Sequence, residues 1–157
     1  MDDAEVLRRI ADQDLELPPT PQPVAAYVPV VVSGGSAFVA GQVPIVDGHV
    51  LHPGRLGDGV SVDQGYEGAR RAALQALSAL REALGSFDRL RRIVHVTVYI
   101  AATPEFADHP KVANGASELL VAALGDSGAH ARAAVGMSSL PLGGSVEVAV
   151  IAEVDPA

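Results

Sequence analysis

The chain contains no cysteine and no tryptophan, and Lys111 is the single lysine among its 157 residues. The absence of cysteine excludes disulfides, thiolate metal ligands and a cysteine nucleophile. Aromatic residues make up only 4% of the chain, so its core has to be built from aliphatic side chains and alanine. The net charge of −8 leaves little basic surface to neutralise phosphates, which argues against a nucleic acid partner.

Long apolar runs and cofactor motifs are missing too. No segment reaches about 18 consecutive apolar residues, so no membrane-spanning helix is predicted. The acidic start, Met1 to Asp3, does not fit a secretory signal, and we expect a cytoplasmic protein without a membrane partner. The chain has no P-loop and no dinucleotide-binding glycine motif, and His49 and His52 lack a carboxylate at ligand spacing. We therefore expect no cofactor and no metal.

Aliphatic residues are what the chain has in quantity. Hydrophobic residues make up 48% and charged residues 19%, which excludes disorder as the main state. The length fits one domain. An apolar stripe over 3–12 predicts a short N-terminal helix, and four prolines between positions 18 and 23 predict an extended arm. Residues 1–23 are interpreted as a helix and proline-rich arm docked on a single domain of residues 24–157.

Hydrophobic periodicity within that domain predicts two long helices and five strands. Ser61 and Gln64 form a capping-box pattern at the start of the first long helix, which Gly85 is expected to end. The second long helix is predicted over 110–124. Strands are predicted over 27–32, 37–40, 93–101, 131–137 and 146–154, with a long loop over 41–60.

The resulting order of elements, α-β-β-α-β-α-β-β, indicates an α+β fold. The first two strands and the last two strands are expected to form hairpins, because turn-rich segments join them. Both main helices are then expected to pack on one face of a mixed β-sheet.

Two charged residues stand out because they interrupt strands that are otherwise apolar. Arg132 has alanine and valine neighbours, and Glu147 lies in a valine-rich strand. Either the two side chains lie on a solvated face or pair with each other, or Arg132 receives a ligand carboxylate through its rigid fork of donors. Tyr27 is either a half-buried core residue or a polar group in a pocket. Asn114, a mediocre helix former, either makes a specific hydrogen bond or lies in its helix by chance.

Three segments of the sequence resemble the Rid family, the reactive intermediate deaminases, also called YjgF-like proteins. They are AAYVPVVVSGGSAFVAGQVPIVDG at 25–48, FADHPKVANGASELL at 106–120 and HARAAVGMSSLPLGGSVEVAVIAEV at 130–154. The third segment is the most specific, since its arginine, Leu-Pro pair and glutamate stand at the family's spacing. The resemblance spans residues 24–154, and the N-terminal extension indicates a divergent subgroup.

The resemblance implies a chorismate-mutase-like α+β fold and a homotrimer with active sites between subunits. It also implies hydrolysis of reactive enamines and imines, such as 2-aminoacrylate, to 2-keto acids and ammonia. Carried over by position, Arg132 would bind the substrate carboxylate and Glu147 would position or activate water. Tyr27 would line the cleft, Gly41 would place backbone groups near the substrate, and Asn114 would lie near the same pocket. The many valines and alanines also fit sheets that pack together in a trimer.

Two positions depart from the family pattern. Many members have a cysteine where this chain has Ala134, and a serine or threonine where it has Ala40, so the pocket is less polar here. Lys111 is interpreted as a solvated charge rather than a Schiff-base amine. An alternative within the same family is a trimer that binds a keto acid or similar small anion without catalysis. Ribonuclease activity is disfavoured by the acidic charge and the few aromatic residues.

Overall fold

The secondary structure is described from a computed structural model, which covers residues 1–20 and 25–156. Its α-helices are α1 (Asp3–Ala11), α2 (Val62–Leu84) and α3 (His109–Leu124). Its strands are β1 (Val30–Ser33), β2 (Ser36–Gln42), β3 (Ile45–Val46), β4 (His49–Val50), β5 (Arg55–Leu56), β6 (Gly59–Val60), β7 (Leu90–Ala101), β8 (Ala131–Met137) and β9 (Val146–Val154). The predicted order of three helices and five main strands is confirmed, and β3 to β6 are short strands within the predicted loop at 41–60.

The start and the end of α2 follow the predicted signals. The Ser61 Oγ accepts a hydrogen bond from the Gln64 amide at 3.2 Å, and the Gln64 Oε1 accepts one from the Ser61 amide at 2.9 Å. Gly85 ends the helix with φ +84°, a left-handed conformation that glycine adopts without strain. Neither α2 nor any other helix of the described residues is long and apolar enough to cross a membrane.

The five main strands form one sheet in the order β1-β2-β9-β7-β8. Neighbouring strands are antiparallel except β7 and β8, which run parallel. The predicted hairpin of β1 and β2 is confirmed, with Val30 opposite Val39. The predicted hairpin of the last two strands is wrong, because β9 lies between β2 and β7 while β8 forms an edge. A tight hairpin needs a loop of about two residues, and the longer connection at 138–145 carries the chain from the edge to the centre instead.

The first strand begins later than predicted, at Val30 rather than at Tyr27. Pro29 precedes the strand and has no N–H to donate to a neighbouring strand, although its carbonyl accepts from the Ala40 amide at 2.9 Å. Tyr27 therefore lies in the segment that leads into the sheet, where it is 49% exposed. This exposure excludes the interpretation of Tyr27 as a core residue.

Both main helices pack on one face of the sheet, as predicted. Alternate residues of β7 and β9 point to that face and are fully buried, among them Val96, Val98 and Val148. Helix α2 packs tightly against α3 at Gly115, where a Cβ would collide with the Tyr66 carbonyl oxygen. Small residues at such crossings allow the two helices to cover the sheet as one layer.

The opposite face of the sheet is not covered by any helix of the described residues. Its apolar side chains include Phe38, which is 46% exposed, Val135, which is 40% exposed, and Met137, which is 39% exposed. The first two of these residues lie opposite Ile151 and Tyr99 on neighbouring strands. Exposed apolar side chains of this kind are typical of a face that another protein chain covers.

Helix α1 packs into the same core as the rest of the chain. Val6 and Ile10 are each 1% exposed and belong to that core. The carboxylate of Asp3 accepts hydrogen bonds from Arg81 Nε and Nη2, each at 2.9 Å, and from the Phe87 amide at 2.9 Å. The later prolines of the predicted arm and the predicted boundary between residues 23 and 24 lie outside the described residues. The division into helix, arm and domain therefore stays a prediction.

Candidate functional site

Arg132 lies on the edge strand β8 and points to the helix side of the sheet. Its register partner on β7 is the buried Val96. Its Nη1 donates to Asn114 Oδ1 at 2.9 Å and to Ser117 Oγ at 3.1 Å, both on α3. Asn114 thus makes a specific hydrogen bond. Within residues 1–20 and 25–156, no ion pair involves Arg132, so its charge has no carboxylate partner there.

His130 extends this hydrogen-bonded network, which we call the Arg132 edge (Asn114, Ser117, His130 and Arg132). The His130 Nε2 lies 2.9 Å from Ser117 Oγ, and its Nδ1 lies 2.6 Å from the Gly128 carbonyl oxygen. Burial is the main cause that lowers the pKa of His130, and the positive charge of Arg132 lowers it further, against the opposing hydrogen bond to Gly128. Sequence reasoning missed Ser117 and His130, although helical spacing from Asn114 and strand alternation with Arg132 point to them.

Glu147 lies on the other face of the sheet, in the central strand β9 and opposite Tyr99 of β7. Its carboxylate lies over Gly41, where a Cβ would collide with Oε1. Partial burial raises the pKa of the Glu147 carboxyl above its ordinary value. No hydrogen bond or ion pair within the described part of the chain involves this carboxylate. A half-buried, unpaired acid with a raised pKa is typical of a functional site.

A β-bulge brings Gly41 to this carboxylate. The register of β2 on β9 shifts between Val39 and Gln42, so Ala40 and Gly41 together face a single position of β9. Bulges of this type bend a strand and redirect its side chains, and they are frequent beside active sites. Here the bulge places a backbone without a side chain directly beneath Glu147.

The buried Gln75 of α2 holds the backbone that follows the bulge. It is 1% exposed, its Nε2 donates to the Val43 carbonyl at 2.9 Å, and its Oε1 accepts from the Ile45 amide at 2.7 Å. A buried amide bonded at both ends fixes this segment in one conformation. No sequence pattern pointed to Gln75, because it stands among the alanines and leucines of an amphipathic helix.

A cavity of about 420 Å³, which we call the Glu147 cavity, lies beside Gly41 and Glu147. Most of its wall is apolar and includes Val43, Ile45, Pro141 and Leu142, together with the ring of Tyr27. Leu142 is 66% exposed at the mouth of this cavity. A concave, mainly apolar space with a few polar groups is the usual form of a small-molecule site.

The predicted site residues thus form two separate groups. Tyr27, Gly41 and Glu147 surround the Glu147 cavity, whereas Asn114 and Arg132 belong to the Arg132 edge. The sheet lies between the two groups, which excludes an ion pair of Arg132 with Glu147 within one chain. The Glu147 cavity is lined by Tyr27, Gly41 and Glu147 but by neither Asn114 nor Arg132.

The remaining ionisable candidates have local partners. Lys111 is an exposed side chain that pairs with Asp108 at 3.0 Å, as expected for a solvated charge. His52 Nε2 lies 2.7 Å from Glu67 Oε2, and His49 Nδ1 lies 2.9 Å from a backbone carbonyl. Across residues 1–20 and 25–156, there is no group of three or more histidine, aspartate or glutamate side chains able to hold a metal ion.

The sequence matches a known protein family over most of its length. Residues 7–154 match the family model described as "YjgF/chorismate_mutase-like, putative endoribonuclease". The chain is also 39% identical over 142 residues to "Protein TCP17" of Trypanosoma cruzi, which covers 90% of this chain and 89% of that protein.

Two solved structures are similar over nearly the whole chain. The protein Atu1372 of Agrobacterium tumefaciens, of unknown function, is 36% identical with a TM-score of 0.91, covering 98% of this chain and 96% of that chain. A "putative endoribonuclease" from Shewanella oneidensis MR-1 is 30% identical with a TM-score of 0.91, covering 95% of this chain and 99% of that chain. Because the match to Atu1372 covers 98% of this chain, the similarity includes the N-terminal helix α1.

Proposed function

The chain belongs to the YjgF/chorismate mutase-like family, and from this membership we propose that it hydrolyses reactive enamines and imines of the 2-aminoacrylate type to 2-keto acids and ammonia. The proposal rests on the surroundings of the Arg132 side chain. This guanidinium is partly buried and held by two neutral acceptors, yet it has no carboxylate partner in the described chain. Its fork of donors matches the carboxylate that stands next to the reactive carbon of such a substrate.

An enamine such as CH₂=C(NH₂)–COO⁻ first gains a proton at its CH₂ carbon and loses one from nitrogen, which gives the imine. The reaction then converts this imine, R–C(=NH)–COO⁻, and H₂O into R–CO–COO⁻ and NH₃. Water attacks the imine carbon, which then carries one hydroxyl and one amino group. The C–N bond breaks as the hydroxyl proton is lost and the nitrogen gains a proton, so ammonia leaves and the carbonyl forms. An imine is already labile in water, so holding it in place beside an ordered water molecule supplies much of the rate.

Glu147 fits the proton transfers of this reaction. Its carboxylate accepts a proton from the attacking water, and its carboxylic acid form returns a proton to the departing nitrogen. Partial burial raises the pKa of Glu147 above its ordinary value, toward neutral pH, which helps the carboxyl to hold a proton between the two transfers. Because Gly41 has no side chain, its backbone leaves room for the carboxylate and the substrate to meet.

We further propose a homotrimer in which the Arg132 edge of one subunit meets the Glu147 cavity of the next. The position of the two groups on opposite faces of the sheet supports this arrangement, since one chain cannot close a site between them. The exposed apolar face with Phe38, Val135 and Met137 supports it as well. In a closed ring of head-to-tail contacts, each Glu147 cavity meets the Arg132 edge of a neighbouring subunit.

A coupled assay tests the proposal. An amino-acid oxidase or dehydratase generates the imine, and release of the 2-keto acid is followed with and without the protein. We expect faster release with the wild type and background release with Arg132→Ala, whereas Arg8→Ala, at an exposed arginine of α1, keeps full activity. A wild type that binds pyruvate without accelerating hydrolysis is a small-anion binder, and the enzymatic proposal is then wrong.

RNA cleavage, which the description of the family names, is not the function that this chain supports best. The net charge of −8 and the single lysine provide few groups for phosphate contacts. RNA cleavage whose rate falls steeply with rising salt concentration would contradict this assessment.

A further inference from the structure

A series of hydrogen bonds reaches Arg132 from a carbonyl behind it. It connects the Gly128 carbonyl oxygen, the His130 ring, the Ser117 hydroxyl and the Arg132 guanidinium, with distances of 2.6, 2.9 and 3.1 Å in that order. Gly128 is buried, and the side chains of Ser117 and His130 are partly buried. The proposed reaction uses neither of these two side chains.

The chemistry of the end groups determines the direction of each bond. The Gly128 carbonyl only accepts, so His130 Nδ1 carries the hydrogen and Nε2 of the neutral ring is an acceptor. The Ser117 hydroxyl therefore donates to Nε2, and its oxygen accepts from Arg132. Burial is the main cause that lowers the pKa of His130, and the positive charge of Arg132 lowers it further against the hydrogen bond to Gly128, so the neutral ring predominates at neutral pH.

The same bonds leave one side of the guanidinium available. Both hydrogens of Arg132 Nη1 are used, one by Asn114 and one by Ser117. No acceptor among the described residues bonds to Nε or Nη2 of Arg132. The Nε and Nη2 hydrogens point the same way and match the two oxygens of a carboxylate.

We propose that Ser117 and His130 are positioning residues that turn the Nε and Nη2 side of Arg132 toward a substrate carboxylate. The inference rests on the proposed function of Arg132 as the carboxylate-binding group. An arginine fixed before binding loses less conformational freedom when the ligand arrives, so its affinity for the carboxylate is higher. His130 acts through Ser117, because its ring determines which way the hydroxyl hydrogen points.

Three variants test this role. Ser117→Ala removes one acceptor of Nη1, His130→Leu removes the group that orients the hydroxyl, and His130→Gln retains an acceptor oxygen near the place of Nε2. For the first two, we expect the KM for the imine and the Kd for pyruvate to rise about tenfold, with kcat changed less than about twofold. We expect His130→Gln to stay close to the wild type. Ser33→Ala and His49→Leu, both at exposed positions, are the matched controls and should change neither value.

The outcomes separate this inference from the proposed function. Unchanged KM and Kd in Ser117→Ala, or an equal loss in both His130 variants, would overturn the positioning role while hydrolysis by the wild type stands. A wild type that binds pyruvate through Arg132 without hydrolysing imines, and whose Ser117→Ala variant binds more weakly, overturns the hydrolysis alone. A wild type that does neither overturns both. Thermal unfolding checks each variant, and if His130→Leu does not fold, Ser117→Ala decides.

Discussion

Arg132 and Glu147 lie on opposite faces of one sheet, with β7 between their strands. Arg132 is in register with Val96 of β7, and Glu147 is in register with Tyr99. Successive residues of a strand point to alternate faces, so the odd spacing of Val96 and Tyr99 places the two partners on opposite sides. If the substrate contacts both the arginine and the glutamate, as we propose, it therefore binds between two subunits.

The first prediction is that two inactive variants restore activity when they share a trimer. Arg132→Ala and Glu147→Gln are each expected to lose imine hydrolysis. In randomly mixed trimers, an intact site needs the Glu147→Gln subunit to supply the arginine and its neighbour to supply the glutamate. This occurs at about a quarter of the sites, so we expect about a quarter of the wild-type rate after the two variants are refolded together.

The double variant Arg132→Ala/Glu147→Gln is the control for this experiment. Refolded with the wild type, it leaves intact sites only where two wild-type subunits meet, so this mixture measures the loss that dilution alone causes. Refolded alone, the double variant should be inactive. A refolded mixture of the single variants that stays at background, with trimers shown by light scattering, would mean that both residues act from the same chain. A monomeric wild type would contradict the proposed assembly itself.

The second prediction concerns the pH dependence of stability at Glu147. Since burial raises the pKa of this carboxyl, the folded state holds its proton more tightly than the unfolded chain does. The free energy of unfolding therefore falls as pH rises from the unfolded value of about 4.3 through the raised folded value. We expect Glu147→Gln to be more stable than the wild type at pH 7, with a difference that disappears below about pH 4.

Urea unfolding between pH 3 and pH 8 measures this difference. Glu153→Gln is the matched control, because Glu153 lies on the same strand but is exposed. We expect its stability difference from the wild type to stay small across the range. A Glu147→Gln variant that is less stable than the wild type at pH 7 would show that the carboxylate makes favourable contacts in the folded protein.

The third prediction concerns the contact between Gly41 and Glu147. A Cβ at Gly41 would collide with the carboxylate, which lies at the end of a flexible side chain and can turn away. Gly41→Ala should therefore abolish hydrolysis while costing only about 1 kcal/mol in the free energy of unfolding. In a Glu147→Ala background the space is free, and this cost should disappear. Equal costs in the two backgrounds, measured by urea unfolding, would show that the carboxylate does not occupy this place.

Features that depend on a few neighbouring residues could be predicted from the sequence. The Ser61 cap, the Gly85 stop and the alternation in β7 are signals that local chemistry determines, and each is present in the structure. Helix α1 was predicted from its apolar stripe for the same reason. The central place of β9 in the sheet could not be predicted in this way, because strand order depends on contacts between distant segments rather than on the strand's own pattern.

The candidate site shows the same limit. Arg132 and Glu147 could be singled out because each is a charge within an apolar strand. Their placement on opposite faces follows from the sheet register, and the approach of Gly41 to Glu147 follows from a β-bulge. No residue pattern in the sequence predicted either the register or the bulge. Gln75 was missed because its function is to bond the backbone of a different segment.

The fourth prediction is that Leu142 selects substrates by their side chains. Leu142 lies at the mouth of the Glu147 cavity with φ +59° and ψ 16°, a left-handed conformation. In Leu142→Gly, relief of about 1–2 kcal/mol of strain offsets the greater freedom of the unfolded chain, about 0.5–1 kcal/mol. We therefore expect stability within about 1 kcal/mol of the wild type, measured by urea unfolding.

The same substitution removes an apolar wall of the cavity. The kcat/KM for the imine derived from leucine should fall about tenfold, since a lost contact of this size is worth about 1.5 kcal/mol. The imine derived from alanine has only a methyl group to contact this wall, so we expect its kcat/KM to change little. Val121→Ala, at an exposed valine of α3 away from the cavity, is the control and should affect neither substrate. An equal loss for both imines would mean that Leu142 supports the loop around Glu147 rather than the side chain of the substrate.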